Sequence, residues 1–284
     1  MEITSELIKK LREATGAGMM DCKRALEATG GEMEAAVEYL RKKGAAVAQK
    51  RADRSAKEGM IVTRVSDDGK IGVIVEINCE TDFVGKSDDF VRFANTVAET
   101  VALRKPKTRE ELGSLTTRDG KKISDLMNDL LAKVGEKIDV RRFAVFEASG
   151  GAIFSYTHLG SKIGVLVECT KLEVDPAGTT VGRDVAMQIA AMNPLTVSRD
   201  QVDKEIVARE LDIYKTQAAN EGKPANIQEK IAQGRLEKFF QEACLLEQIY
   251  IKDGGKTIKE YLADAGKGAT VTRFYRFHLG EEVR

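Results

Sequence analysis

The sequence predicts an α+β fold. A three-helix N-terminal module precedes two related subdomains, each a small antiparallel sheet with helices, and an antiparallel helical hairpin interrupts the second. Three observations carry this. Apolar residues recur at helical spacing through residues 1–43. The β-rich run Lys70-Ile71-Gly72-Val73-Ile74-Val75-Glu76 returns 92 positions later as Lys162-Ile163-Gly164-Val165-Leu166-Val167-Glu168, with only Ile74 exchanged. A second helix-rich stretch then separates the second copy's first helix from its closing strand.

In the N-terminal module, Thr4 or Ser5 can cap a first helix that carries Leu7, Ile8 and Leu11 on one face. Thr15-Gly16-Ala17-Gly18 breaks it, leaving Met19-Met20 in the loop. Asp21 can cap a second helix with Cys22, Ala25 and Leu26 inward, ended by Thr29-Gly30-Gly31. Met33, Ala36, Val37 and Leu40 mark the third, which should stop before Gly44. Three short helices with so small a core resemble a ubiquitin-associated module, and they need support from elsewhere in the chain. Residues 44–58 form a link rich in Ala, Lys and Arg. Its basic side chains Lys50, Arg51, Arg54 and Lys57 either meet an acidic surface or are simply solvated.

The first subdomain spans 59–148. Met60 to Val65 and the central strand form a hairpin about Asp67-Asp68-Gly69. Phe90, Phe93, Ala94, Val97 and Val101 line one helix face, a further helix covers Ile123 to Val134, and Ile138 to Phe146 alternates as a closing strand. The second subdomain takes 149–197 and 248–284. Ala152 to His158 opens it, Asp175-Pro176 signals a helix with Val181, Val185, Ile189 and Met192 on one face, and Val271 to Phe277 closes it. Between them, 198–247 holds the hairpin, with capping-box patterns at Ser198/Gln201 and Asn226/Glu229 and a turn at Gly222-Lys223-Pro224.

Composition narrows the function. The 45 basic and 45 acidic side chains cancel, which disfavours a protein living mainly on nucleic acid. Cys22, Cys79, Cys169 and Cys244 lack Cys-x-x-Cys spacing and read as separate reduced thiols. No leader pattern opens the sequence and no apolar run reaches membrane length, so the chain reads as cytoplasmic. The two histidines, His158 and His278, stand in no ligand spacing. Asp253-Gly254-Gly255-Lys256-Thr257 looks like the end of a phosphate loop, but Tyr250 stands where the motif needs glycine, and the segment reads as a loop. No catalytic group, metal or cofactor is expected.

What remains is the end of the central strand, Thr81-Asp82-Phe83-Val84. Asp82 can cap the next helix with Phe83 in the local core. Alternatively the pair is an anchor for a partner's pocket. Ser87, followed by Asp88 and Asp89, is an equally good cap. The sister copy reads Glu-Val-Asp-Pro at 173–176 and does without the tip. Met19-Met20 is similarly double, either core or an adaptable contact surface.

These residues resemble the bacterial elongation factor Ts family. Thr81-Asp82-Phe83-Val84 after the strand ending Asn78-Cys79 is one signature, and Leu11 to Leu26 is a longer one. Ser155-Tyr156-Thr157-His158 before Ile163 to Val167 is a third, and the resemblance runs nearly the whole chain in order. It implies a non-enzymatic guanine-nucleotide exchange factor for the GTPase elongation factor Tu, with no nucleotide bound directly. Asp82-Phe83 would enter the GTPase near its magnesium and phosphate site. Arg12, Met19 and Met20 match contact positions of the N-terminal module, and Val134, Gly135 and His158 match core positions toward the partner. Many members continue into a C-terminal helix, whereas this sequence reads Glu281-Glu282-Val283-Arg284 after the closing strand. The module and core are therefore expected to hold the partner. The sheet edges leave a homodimer open. Two competing readings remain: an adaptor active through residues 1–57 alone, and an enzyme with a site between the copies, for which no acid–base pair is visible.

Overall fold

The computed structural model describes residues 3–50, 53–172 and 180–282. Helices α1 (Ser5–Thr15), α2 (Met19–Ala28) and α3 (Met33–Lys50) form the N-terminal module around Leu11, Cys22, Leu26 and Ala36, all fully buried. Thr4 is the cap of α1, its hydroxyl accepting from Leu7 N–H at 3.3 Å.

Three expectations change here. Met19 and Met20 are the first residues of α2 rather than loop residues, and Asp21 is not its cap. Gly18 starts the helix by presenting its carbonyl to the Asp21 and Cys22 N–H groups. The Asp21 carboxylate serves Lys43 and Arg24 instead, at 2.6 Å each, and hydrogen bonding to Lys43 chiefly holds its pKa below the ordinary value. Nor does α3 stop before Gly44; it continues through nearly half of the expected link, to Lys50. Gly44 is buried against the first subdomain, where a Cβ would lie 3.3 Å from the Asn128 carbonyl oxygen. The glycine permits close helix packing rather than ending a helix. Arg51 lies outside the described residues.

The first copy runs β1 (Glu58–Val65), β2 (Ile71–Cys79), α4 (Asp82–Gly85), α5 (Asp88–Arg104), α6 (Arg109–Ser114), α7 (Ile123–Val134) and β3 (Asp139–Glu147). Its antiparallel sheet has the order β1-β2-β3. Val73, Val75, Ile77 and Cys79 face α5 and α7, and the apolar α5 residues expected from the sequence are all buried there. The second copy runs β4 (Gly151–Thr157), β5 (Ile163–Thr170), α8 (Thr180–Met192), the insertion α9 (Lys204–Asn220) and α10 (Ala225–Ala243), then β6 (Ile249–Tyr250), β7 (Asp253–Thr257), α11 (Ile258–Ala265) and β8 (Thr270–His278). Its sheet order is β4-β5-β8, and in each copy the closing strand carries a bulge beside the repeated glutamate of the central strand, with Arg141 of β3 and Thr272 of β8 as the extra residues. The Asp175-Pro176 start signal lies outside the described residues. On α8, Val185 and Ile189 are buried but Met192 is 45% exposed.

The two sheets meet face to face about a local twofold relation. Ile153 N–H donates to the Gly69 carbonyl at 2.8 Å, and Ile61 N–H donates to the Ser161 carbonyl at 2.7 Å. Between the sheets Ile61, Ile74, Ile153, Leu166, Phe146 and Phe277 form one buried cluster. Arg142 binds Glu76 at 2.6 Å in its own sheet and lies over the Phe277 ring of the other; Arg273 binds Glu168 at 2.7 Å and lies over Phe146. The repeated glutamates are thus buried but paired.

Helices α9 and α10 pack as the expected hairpin, with Ala218 and Ala232 fully buried and Arg235 paired to Glu221 at 2.8 Å. Neither predicted capping box forms. Gln201 Oε1 accepts from Val197 N–H, α9 is capped by Asp203, and Pro224 precedes α10 without a side-chain cap. A capping box does form at Thr257/Glu260 on α11. Asp253–Thr257 is the strand β7 paired to β6, not a loop. Among the described residues no helix is long and apolar enough to cross a membrane.

Candidate functional site

The tip is built by the junction of β2 with α4. Thr81 is the cap of this single helical turn, its hydroxyl accepting from Val84 N–H at 3.4 Å, so Asp82 is free of that task. Ser87 caps α5 and donates to the Val84 carbonyl at 2.8 Å. Val84 packs on the helix-covered face of the sheet. Gly85 is buried where a Cβ would lie 3.2 Å from the Gly59 Cα and 3.3 Å from Cys79 Sγ. With no side chain there, α4 lies flat on β1. The other face of the turn points outward, and Phe83 is 85% exposed. That excludes the reading in which Phe83 fills the local core. Asp82 is also exposed and binds Lys86 Nζ at 2.8 Å; this hydrogen bond, then the Lys86 charge, holds its pKa below the ordinary value, with a smaller contribution from Lys162.

A reciprocal clasp fixes the tip to the chain that follows α7. Glu136 accepts from Thr81 N–H at 2.9 Å and from the Thr81 hydroxyl at 2.6 Å. In return Glu80 accepts from Lys137 N–H at 2.7 Å and pairs with Arg54 at 3.1 Å. Val134 and Gly135 immediately precede this clasp; Gly135 ends α7 with φ +72°, a conformation that glycine adopts freely. The other end of the contact chain is the N-terminal module. Gly16 faces the aliphatic stem of Lys133, and Lys133 Nζ binds Asp89 at 2.6 Å. Met19 and Met20, just beyond that loop, are 55% and 63% exposed. Arg12 is exposed on α1, and its carbonyl accepts from Gly16 N–H at 2.7 Å.

His158 sits in the turn between β4 and β5, exposed, with its Nδ1 at 2.9 Å from the Tyr156 hydroxyl. Local twofold packing carries this turn to β1. Lys162 Nζ lies 3.2 Å from Glu58 there. Val134-Gly135 thus adjoin the tip through the clasp, the Gly16 loop before Met19-Met20 meets Lys133 of α7, and the turn that holds His158 meets β1. Sequence reading missed Glu80 and Glu136, because pairing across more than fifty positions leaves no local pattern. It also missed Leu159, which is 90% exposed beside His158. A leucine in a turn otherwise made of His, Gly, Ser and Lys was the available signal.

The thiols offer no alternative chemistry. All four are buried, and burial pushes Cys79 and Cys169 up to about 12. Among the described residues no cluster of three or more His, Cys, Asp and Glu side chains can hold a metal ion.

Comparison with known proteins is consistent along the chain. The sequence model of the family described as Elongation factor TS matches residues 80–281. A protein of Clostridium perfringens named Elongation factor Ts is 48% identical over 285 residues, covering 99% of this chain and 94% of the relative. Proteins of the same name from Clostridium botulinum and Trichlorobacter lovleyi are 45% and 47% identical, each covering 99% of this chain and 94% of their own length. With the family model matching most of the chain and these relatives matching nearly all of it, the chain belongs to the elongation factor Ts family.

Proposed function

We propose that this protein is a guanine-nucleotide exchange factor for elongation factor Tu and promotes GDP release by inserting Asp82-Phe83 near the GTPase's magnesium and phosphate site. The observation that carries the mechanism is Phe83, 85% exposed on a turn held by Thr81, Gly85 and the Glu136 clasp. Leaving a phenylalanine ring in water contributes nothing to this fold, and holding it rigidly lowers the entropic cost of burying it in a partner. Exchange needs no covalent step. It needs only a surface that binds the nucleotide-free form more tightly than the GDP form.

Linkage makes the effect mutual: if the factor weakens GDP, then GDP weakens the factor equally. Burying Phe83 supplies about 1.5–3 kcal/mol, roughly a ten- to hundredfold effect when expressed only in the nucleotide-free state. The exposed Met19-Met20 pair, Val134-Gly135 and His158 supply the remaining contacts, with Arg12 at the module's edge.

The test is release of a fluorescent GDP analogue from elongation factor Tu in a stopped-flow instrument, with wild type, Asp82→Ala and Phe83→Ala compared after a folding check. Acceleration by wild type that falls about tenfold or more in the variants supports exchange through the tip. No acceleration by folded wild type overturns the function. Equal acceleration by all three keeps the function and removes the tip from it.

A further inference from the structure

We propose that Leu159 is a second apolar prong of the partner surface, held by the same GTPase that takes Phe83, and that it sets how tightly the partner is bound. This rests on the exchange reading above. Leu159 and Phe83, 90% and 85% exposed, are the two most exposed large hydrophobic side chains among the described residues. Both stand at the end of a rigid strand pair.

The turn itself does not need the leucine. Gly160 at φ +81° and Ser161 at φ +56° make the reversal, and it is closed by hydrogen bonds from Ser161 N–H to the His158 carbonyl and from His158 N–H to the Ile163 carbonyl, both 2.9 Å. The first copy shows what the same scaffold carries elsewhere. In its turn, Ser66 to Gly69, the position equivalent to Leu159 is Asp67, and Asp68 closes the turn by accepting from the Ser66 hydroxyl and Lys70 N–H. One turn is polar and self-satisfied. The other presents a bare isobutyl group.

Their positions explain the difference. Because the copies pack about a twofold relation, each turn lies against the other copy's first strand. Ser161 accepts from Ile61 on β1, two residues from the Gly59 that lies under Gly85 of the tip. Lys162 reaches Glu58 and its charge is felt by Asp82. The Leu159 turn therefore flanks the Phe83 tip. The Asp67 turn flanks β4, since Gly69 accepts from Ile153, and the second copy has no such tip. Among the described residues the apolar turn lies at the end that carries the wedge, so the surface continues from the tip and has one occupant, the tip's own partner. Phe83 acts where the nucleotide-free form differs from the GDP form. Leu159, outside the wedge, contacts both forms and so changes affinity without changing the exchange step.

Leu159→Asp tests this in the stopped-flow assay, run over a range of factor concentrations. The expected result is a rise of about tenfold or more in the half-saturating concentration, as loss of a buried leucine contact implies, with the saturating rate within about twofold of wild type. A titration of nucleotide-free elongation factor Tu should weaken by the same factor. Leu159→Ser repeats the test with a milder change should the aspartate disturb folding, which thermal melting reports. An unchanged half-saturating concentration overturns the proposal, as does a collapse of the saturating rate at unchanged affinity. If wild type itself fails to accelerate release, the exchange reading has failed instead.

Discussion

Ile153 stands over Gly72 so closely that a Cβ there would come within 2.5 Å of its Cγ2. The twofold-related pair, Ile61 over Gly164, repeats the same 2.5 Å. Gly72 and Gly164 are the glycines of the repeated strand, and each is the socket for the other copy's isoleucine. Gly72→Ala and Gly164→Ala should each lower stability by about 1–3 kcal/mol through overpacking. A urea melt with an unchanged slope and a lower midpoint is the expected record; an unshifted midpoint would mean that the sheets yield freely.

The clasp at Glu136 should matter to the rate more than to partner binding. Glu136→Gln keeps the size but offers only one carbonyl oxygen to Thr81's two donors, at a cost of about 1–2 kcal/mol in local order. Amide hydrogen exchange across Thr81 to Gly85 should quicken, and the saturating exchange rate should fall several-fold while the half-saturating concentration holds. Unaltered amide protection in the variant would sink the idea that Glu136 orders the tip.

Glu168 gives the core an acid-sensitive joint. Burial opposes its ionisation, yet the Ser149 N–H and hydroxyl and the Arg273 guanidinium outweigh that and hold its pKa below the ordinary 4.5. A depressed carboxylate stabilises the fold above its unfolded pKa, and that contribution is lost as pH falls through the folded value. Stability should therefore decline on acidification below about pH 4.5, and Glu168→Gln should flatten that limb. Arg273→Met, which leaves a buried charge without its partner, should cost about 3–5 kcal/mol at neutral pH. Thermal melts from pH 3 to 7 read both.

The four thiols should be silent in the native protein. All are buried, and desolvation raises each, Cys79 and Cys169 to about 12. A disulfide reagent at pH 8 should label none rapidly, and all together once the chain is unfolded in denaturant. Rapid labelling of Cys79 alone would reveal opening beside the tip.

Periodicity made most of this architecture legible. The short apolar run Ile71 to Ile77 reads as one buried strand, and the spacing of Phe90, Phe93, Val97 and Val101 names the helix side that covers it. The repeat exposed the duplication. What stayed hidden depends on contacts distant in sequence. Gly44 reads as a helix stop until α7 is seen against it. Asp21 and Ser198 read as caps until their competitors, the Gly18 carbonyl and Asp203, are in place. At the tip, Thr81-Asp82-Phe83-Val84 was visible, but its direction was not, because only the buried Gly85 decides which side of the turn meets water.

The twofold packing of the copies also fixes valence. Two identical subunits joined in this way would carry two wedges at opposite poles, and each assembly would invite two GTPases. Covalent fusion releases the halves from that obligation, so one pole can hold Phe83 while the other reads Glu-Val-Asp-Pro at the matching sequence positions. On the proposed exchange reading one chain would then engage one GTPase, with the second copy packed against the first as its support.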